Sequence, residues 1–70
     1  MSIKIVVREA GRRQKREIRV SRRAVVADLL KKLGQNRETV VVRVNGKIVA
    51  EEEHLKSGDV VEIIPIVTGG

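Results

Sequence analysis

The 70 residues contain no cysteine and no Phe, Tyr or Trp. Without Cys, neither a disulfide nor a thiolate zinc site can brace the fold, and no thiol nucleophile is present. A chain of this length buries only about 60% of the surface it exposes when unfolded, so apolar packing must hold it with little to spare. Without aromatics, that packing falls to Val, Ile, Leu and Ala, a set that suits short strands. The same absence removes the stacking platforms with which single-stranded nucleic acids are gripped. No apolar run approaches the roughly 20 residues of a membrane span. Residues 1–10 are interrupted by Lys4, Arg8 and Glu9, unlike a signal peptide. A cytoplasmic protein with no membrane partner is expected, and the lack of Cys agrees with a reducing compartment.

Catalytic patterns are missing too. "AGRRQK" does not have the G-x-x-x-x-G-K-[ST] spacing of a phosphate loop. No nucleophile–base pair or metal-ligating spacing is visible. The single histidine, His54, follows Glu51, Glu52 and Glu53 in a polar turn, where it reads as a solvated side chain and no metal ligand. The chain is not expected to be an enzyme or to hold a permanent cofactor.

Charge is abundant and uneven. The net charge is +6, and residues 1–35 carry eleven Lys/Arg against three Asp/Glu, whereas residues 36–70 carry four against six. Arg12, Arg13, Lys15, Arg16, Arg19, Arg22 and Arg23 concentrate the excess in one stretch. Such a cluster can be solvated charge, a grip for phosphates or a contact for an acidic partner.

"SIKIVVRE" alternates, with Ile3, Ile5 and Val7 on one face and Lys4, Val6 and Arg8 on the other. Period two predicts a half-buried strand. "AGRRQ" interrupts it, and "KREIRVS" resumes with Ile18 and Val20, which together predict a hairpin. Ser21 is read as the N-cap of a helix starting near Ala24 and running ten to twelve residues. Val26, Leu29, Leu30 and Leu33 form its apolar stripe. Lys31 and Lys32 suit its last turn, and Gly34 its end. "ETVVVRV" is a strand with Val40, Val42 and Val44 inward, and "NG" at Asn45 and Gly46 predicts a type I′ hairpin into "KIVA". Leu55 is expected to plug the polar turn that follows. "VVEIIPIV" is apolar on both faces, as a central strand should be, and Pro65 should end regular pairing.

The order is therefore ββαβββ, one helix laid across a mixed sheet of four to five strands. "VVVRVNGKIVAEEEHLKSGDVVEIIPIVTGG" then resembles the C-terminal half of the ubiquitin-fold sulfur carriers of thiamin and molybdopterin synthesis (ThiS and MoaD) and of the archaeal ubiquitin-like small modifier proteins. The resemblance covers nearly the whole chain in element order and the last thirty residues in detail. The short helix is more like the ThiS and modifier type than the longer MoaD type. It implies an α+β, β-grasp fold, with residues 1–67 as the domain and 68–70 as a flexible Gly-Gly tail.

The resemblance also implies a function. In such proteins an E1-like partner enzyme uses ATP to adenylate the C-terminal glycine carboxylate, here Gly70, which is then converted to a thiocarboxylate by a persulfide sulfur donor. The product either passes sulfur to a biosynthetic acceptor or joins the chain to target-protein lysines, and the sequence leaves both fates open. Glycine fits because it has no Cβ to clash in a narrow channel and leaves the acyl carbon unhindered. Thr68 and Gly69 would be recognised with the tail. Residues 67–70 span at most roughly 13 Å when extended, enough to thread toward a nucleotide. Val6, Val41, Ile64, Ile66 and Val67 point away from the expected helix and are assigned to partner docking. The carrier is expected to be a monomer without a nucleic-acid partner. A second reading is a small RNA-binding domain similar to the TGS type, working through the basic hairpin.

Overall fold

The computed structural model describes residues 1–10 and 13–66. Five strands and one helix follow in the order β1 (Ser2–Glu9), β2 (Lys15–Ser21), α1 (Val26–Leu33), β3 (Val40–Val44), β4 (Lys47–Val49) and β5 (Val60–Pro65). The strands form one mixed sheet in the spatial order β2-β1-β5-β3-β4. β1 and β5 run parallel in the middle, and the other pairs are antiparallel. This is the β-grasp arrangement.

The alternation in the sequence becomes two faces. Ile5, Val7, Val42, Val44, Val61 and Ile63 point to the covered face, where Val26, Leu29 and Leu30 of α1 meet them. Ile18 and Leu33 pack against the margin of that cluster. Leu55 is buried beneath the turn after β4, as expected. Burying a side chain of this kind fully is worth about 1.5–3 kcal/mol, and these residues are the fold's main source of stability.

The start of the helix differs from the expectation. Ser21 is not the N-cap: it ends β2 opposite Ser2, and its Oγ accepts a hydrogen bond from the Arg23 N–H at 3.2 Å. The helix begins at Val26, five residues later, and spans eight residues rather than ten to twelve. Its cap residue is Val25, which has no side-chain acceptor. The free N–H groups of the first turn find partners elsewhere. Val26 N–H donates to the Glu53 carbonyl and Ala27 N–H to that of Glu51, each at 2.9 Å. Asp28 reaches back to accept from the Val25 N–H at 3.0 Å, which also sets a carboxylate in the positive first turn. The polar "EEEH" turn is thus the cap of α1, supplied through its backbone from across the fold. At the other end Gly34 has φ 71°, and its N–H and that of Gln35 close onto the last turn, as its sequence position suggests.

The β3–β4 turn is as predicted, with Asn45 at φ 52° and Gly46 at φ 86°. Asn45 has a second task. Its Nδ2 donates to Asp59 Oδ1 at 3.0 Å, and its Oδ1 accepts from the Val60 N–H at 3.0 Å. Asp59 Oδ2 in turn accepts from the Lys56 N–H at 2.8 Å. Asp59 is 8% exposed and is the one buried charged group among the described residues. These bonds fix where β5 begins, and with it the line along which the chain leaves the sheet.

No helix among the described residues is long and apolar enough to cross a membrane.

Candidate functional site

The face of the sheet opposite α1 carries no helix. Strand register arranges its side chains in rows. One row reads Lys15, Arg8, Glu62, Arg43 and Ile48 across β2, β1, β5, β3 and β4. On one side of it Val6 lies beside Val60, with Glu17 next to Val6 on β2. On the other side Val41 lies opposite Ile64.

Val6, Val41 and Ile64 are therefore all on the open face and half-buried, as expected from their parity. They do not form one patch. Val6 sits level with Val60, four residues before Ile64, so roughly 13 Å of strand separates the two apolar spots. The charged row Arg8–Glu62–Arg43 runs between them. Ile66 lies just past β5 and is 45% exposed. Its N–H donates to the Thr39 carbonyl at 2.8 Å, so the chain is still held beside β3 at that point. Val67, Thr68, Gly69 and Gly70 lie outside the described residues.

Two exposed apolar side chains on this face were not singled out by the sequence. Val60 is 39% exposed and extends the Val6 spot, while Ile48 is 72% exposed at the β4 end of the charged row. Val60 shares the parity of Ile64, a signal that was available. Ile48 depends on the β3–β4 register, which places it opposite Arg43 and Val49 opposite Val42. A three-residue strand does not reveal that by alternation.

The end of β5 has defined neighbours. β1 runs parallel to β5, and the Ala10 N–H donates to the Ile63 carbonyl at 3.0 Å. The β1–β2 hairpin end, Val40 and Pro65 therefore share one end of the sheet with Gln35 from the close of α1. Ile64, Val41 and Ile66 are the apolar groups of the open face nearest that end.

Among the described residues no three His, Cys, Asp or Glu side chains stand where they could hold a metal ion. His54 is exposed, and its backbone bridges to Val25 below the cap of α1.

The sequence profile of the ThiS family matches residues 5–70. The chain belongs to the ThiS family. Solved structures share the ubiquitin-like β-grasp fold. A protein described as molybdopterin converting factor subunit 1, from Pyrococcus furiosus, is 28% identical over 94% of this chain and all of its own, with a TM-score of 0.79. SAMP1 from Haloferax volcanii is 24% identical over 96% of this chain and 99% of its own, at a TM-score of 0.73. The ubiquitin of Caldiarchaeum subterraneum is 21% identical with full coverage of both chains, at a TM-score of 0.77. At these lower identities the likeness is one of fold. Together with the ThiS match, it places the chain in the ThiS family with a ubiquitin-like β-grasp fold.

Proposed function

We propose that this protein is a sulfur carrier activated at Gly70 by an E1-like adenylating enzyme. The observation that carries the reading is the extent of the ThiS match, which runs through Gly69 and Gly70. A carboxylate is a poor acyl donor because it would have to expel oxide. Attack of a Gly70 carboxylate oxygen on the α-phosphorus of ATP releases pyrophosphate and gives a mixed anhydride, whose leaving group is AMP. The terminal sulfur of a persulfide displaces that AMP, and a thiol reductant cleaves the resulting S–S bond to leave the thiocarboxylate. The ATP belongs to the partner enzyme, and this chain supplies the acyl group and a surface for docking. It performs no catalysis. The thiocarboxylate passes its sulfur to a cofactor precursor or a tRNA base. In the other fate the amine of a target-protein lysine attacks the activated Gly70 carbonyl, the activating group leaves, and an amide joins the two chains.

Docking is assigned to Val41, Ile64 and Ile66 with the tail residues Val67, Thr68 and Gly69. Val41 and Ile64 are paired neighbours at the end of the sheet from which the tail departs. Val6 is the weaker candidate, because a row of charge and roughly 13 Å separate it from Ile64. A Val41→Lys variant is expected to bind the activating enzyme about tenfold more weakly, as for loss of one central apolar contact. Val6→Lys should cost clearly less, with circular dichroism confirming that both fold. Equal losses in titration calorimetry would move the docking centre away from Ile64.

The primary test is intact mass after incubation with the cognate adenylating enzyme, ATP and a persulfide donor. A gain equal to one sulfur-for-oxygen exchange is expected. An unchanged mass with an enzyme proven active on another carrier would refute the reading.

A further inference from the structure

Sequence alone leaves the role of the basic cluster open, and the fold gives it a shape. The sheet order puts β2 at one edge and β4 at the other. Lys15, Arg16 and Arg19 therefore lie on one free edge, with Arg13 just before the strand and Arg22 and Arg23 in the turn after it, and every one of them is exposed. Lys32 joins them from α1, its Nζ donating to the Arg19 carbonyl at 2.6 Å. Lys15 and Arg19 share the open face, opposite Arg8 and Lys4 of β1, while Arg16 pairs with Val7 on the other side. The edge is thus positive on both of its flanks. Beyond the far edge, Glu51, Glu52 and Glu53 follow Ala50 after β4, and Lys47 is the one cation on that strand.

Two acids among the described residues stand near this edge, and one of them, Glu9, lines a surface depression with Gln14 and Arg16. The one acid between positions 13 and 23 is Glu17, and it is engaged by Lys4 at 3.3 Å. Arg37 is engaged by Glu51 at 2.9 Å, away from β2. Arg19 Nη1 donates to the Ser2 hydroxyl at 3.4 Å.

We infer that the β2 edge binds the phosphodiester backbone of double-stranded or folded RNA. Three features point to a phosphodiester duplex rather than to a single strand. The cations form a line: β2 alone runs about 20 Å, a length over which a duplex presents about a dozen phosphate charges. The line is mostly arginine, whose planar fork meets phosphate oxygens bidentately. The chain has no aromatic residue, so bases cannot be stacked, and recognition rests on backbone charge and helix shape rather than on unpaired bases. The inference goes beyond the carrier reading and does not depend on it, because binding requires neither adenylation nor the Gly-Gly end.

The test is fluorescence anisotropy of the full chain with a labelled 20-base-pair RNA duplex between 50 and 200 mM salt. With about four phosphates neutralised, affinity is expected to fall about 100-fold over that range. The triple variant Arg16→Gln, Arg19→Gln, Arg23→Gln should flatten the slope of log K against log salt by about 2.7. A control triple, Arg43→Gln, Lys47→Gln, Lys56→Gln, removes the same charge away from this edge and should leave the slope nearly unchanged. Circular dichroism establishes that both variants fold. Equal losses in the two triples would reduce the effect to net charge and overturn the inference. So would absence of binding at 50 mM salt, or a poly-glutamate peptide that displaces the RNA at equal charge concentration, which would assign the edge to an acidic protein. A DNA duplex of the same sequence serves as a further arm, and tighter binding to it than to RNA would overturn the choice of RNA.

Discussion

Deleting Gly70 alone abolishes the sulfur-for-oxygen mass exchange and leaves the thermal melting temperature where it was. The two halves of this expectation have separate origins. The loss follows from the chemistry: without Gly70 the terminal carboxylate belongs to Gly69, one residue short, and the chain loses about 3.3–3.6 Å of reach. Near-attack geometry tolerates far less, since a misplacement of about 1 Å can cost 100-fold in rate. The preserved stability follows from where the core lies. The buried apolar residues of the described chain end at Ile63, and the cap, turn and Asp59 contacts that fix β5 all precede it. Mass spectrometry of the carrier after reaction, beside a calorimetric melt, reads both. Normal exchange by the shortened chain would remove Gly70 from the mechanism, and a lowered melting temperature would show the tail to be part of the fold.

Leu29→Ala produces the other large effect, on stability. Leu29 is fully buried at the centre of the helix–sheet contact, and truncating such a leucine costs about 2–5 kcal/mol. A chain of this length has roughly 4–10 kcal/mol in total, at 0.05–0.15 kcal/mol per residue. It has no disulfide to fall back on. A loss of about 3 kcal/mol lowers the melting temperature by about 12–24 °C in a domain of this size. The same truncation at Leu33, which is only partly buried at the margin of the cluster, should cost clearly less. Thermal melts of the two variants give the comparison, and a Leu33→Ala loss equal to that of Leu29→Ala would contradict the placement of the core.

Much of the architecture was legible because β1 and β2 each carry a period of two and α1 a helical one. Ile3, Ile5 and Val7 needed only alternation, and Asn45–Gly46 needed only its turn chemistry. The helix start was not legible. Its partners, the carbonyls of Glu51 and Glu53, lie about 25 residues away in sequence, and no local rule looks that far. Ser21 offered a plausible hydroxyl, and the turn after β2 used it first. The candidate site was legible in composition and not in arrangement. Parity placed Val6, Val41 and Ile64 on one face correctly. Only the register of β1 against β5 shows that Val6 meets Val60, and that Arg8, Glu62 and Arg43 divide the face. In the same way the basic stretch was plain as a string of letters, while its confinement to one edge required the strand order.

The position of β5 bears on how the molecule withstands tension. It is flanked on both sides, by parallel β1 and antiparallel β3. A pull applied beyond residue 66, by a motor or by a tether to another protein, runs along the strand axis and strains both ladders together in shear. The border strands β2 and β4, each paired on one side, can instead be unzipped bond by bond, so load along β5 meets the greater mechanical resistance.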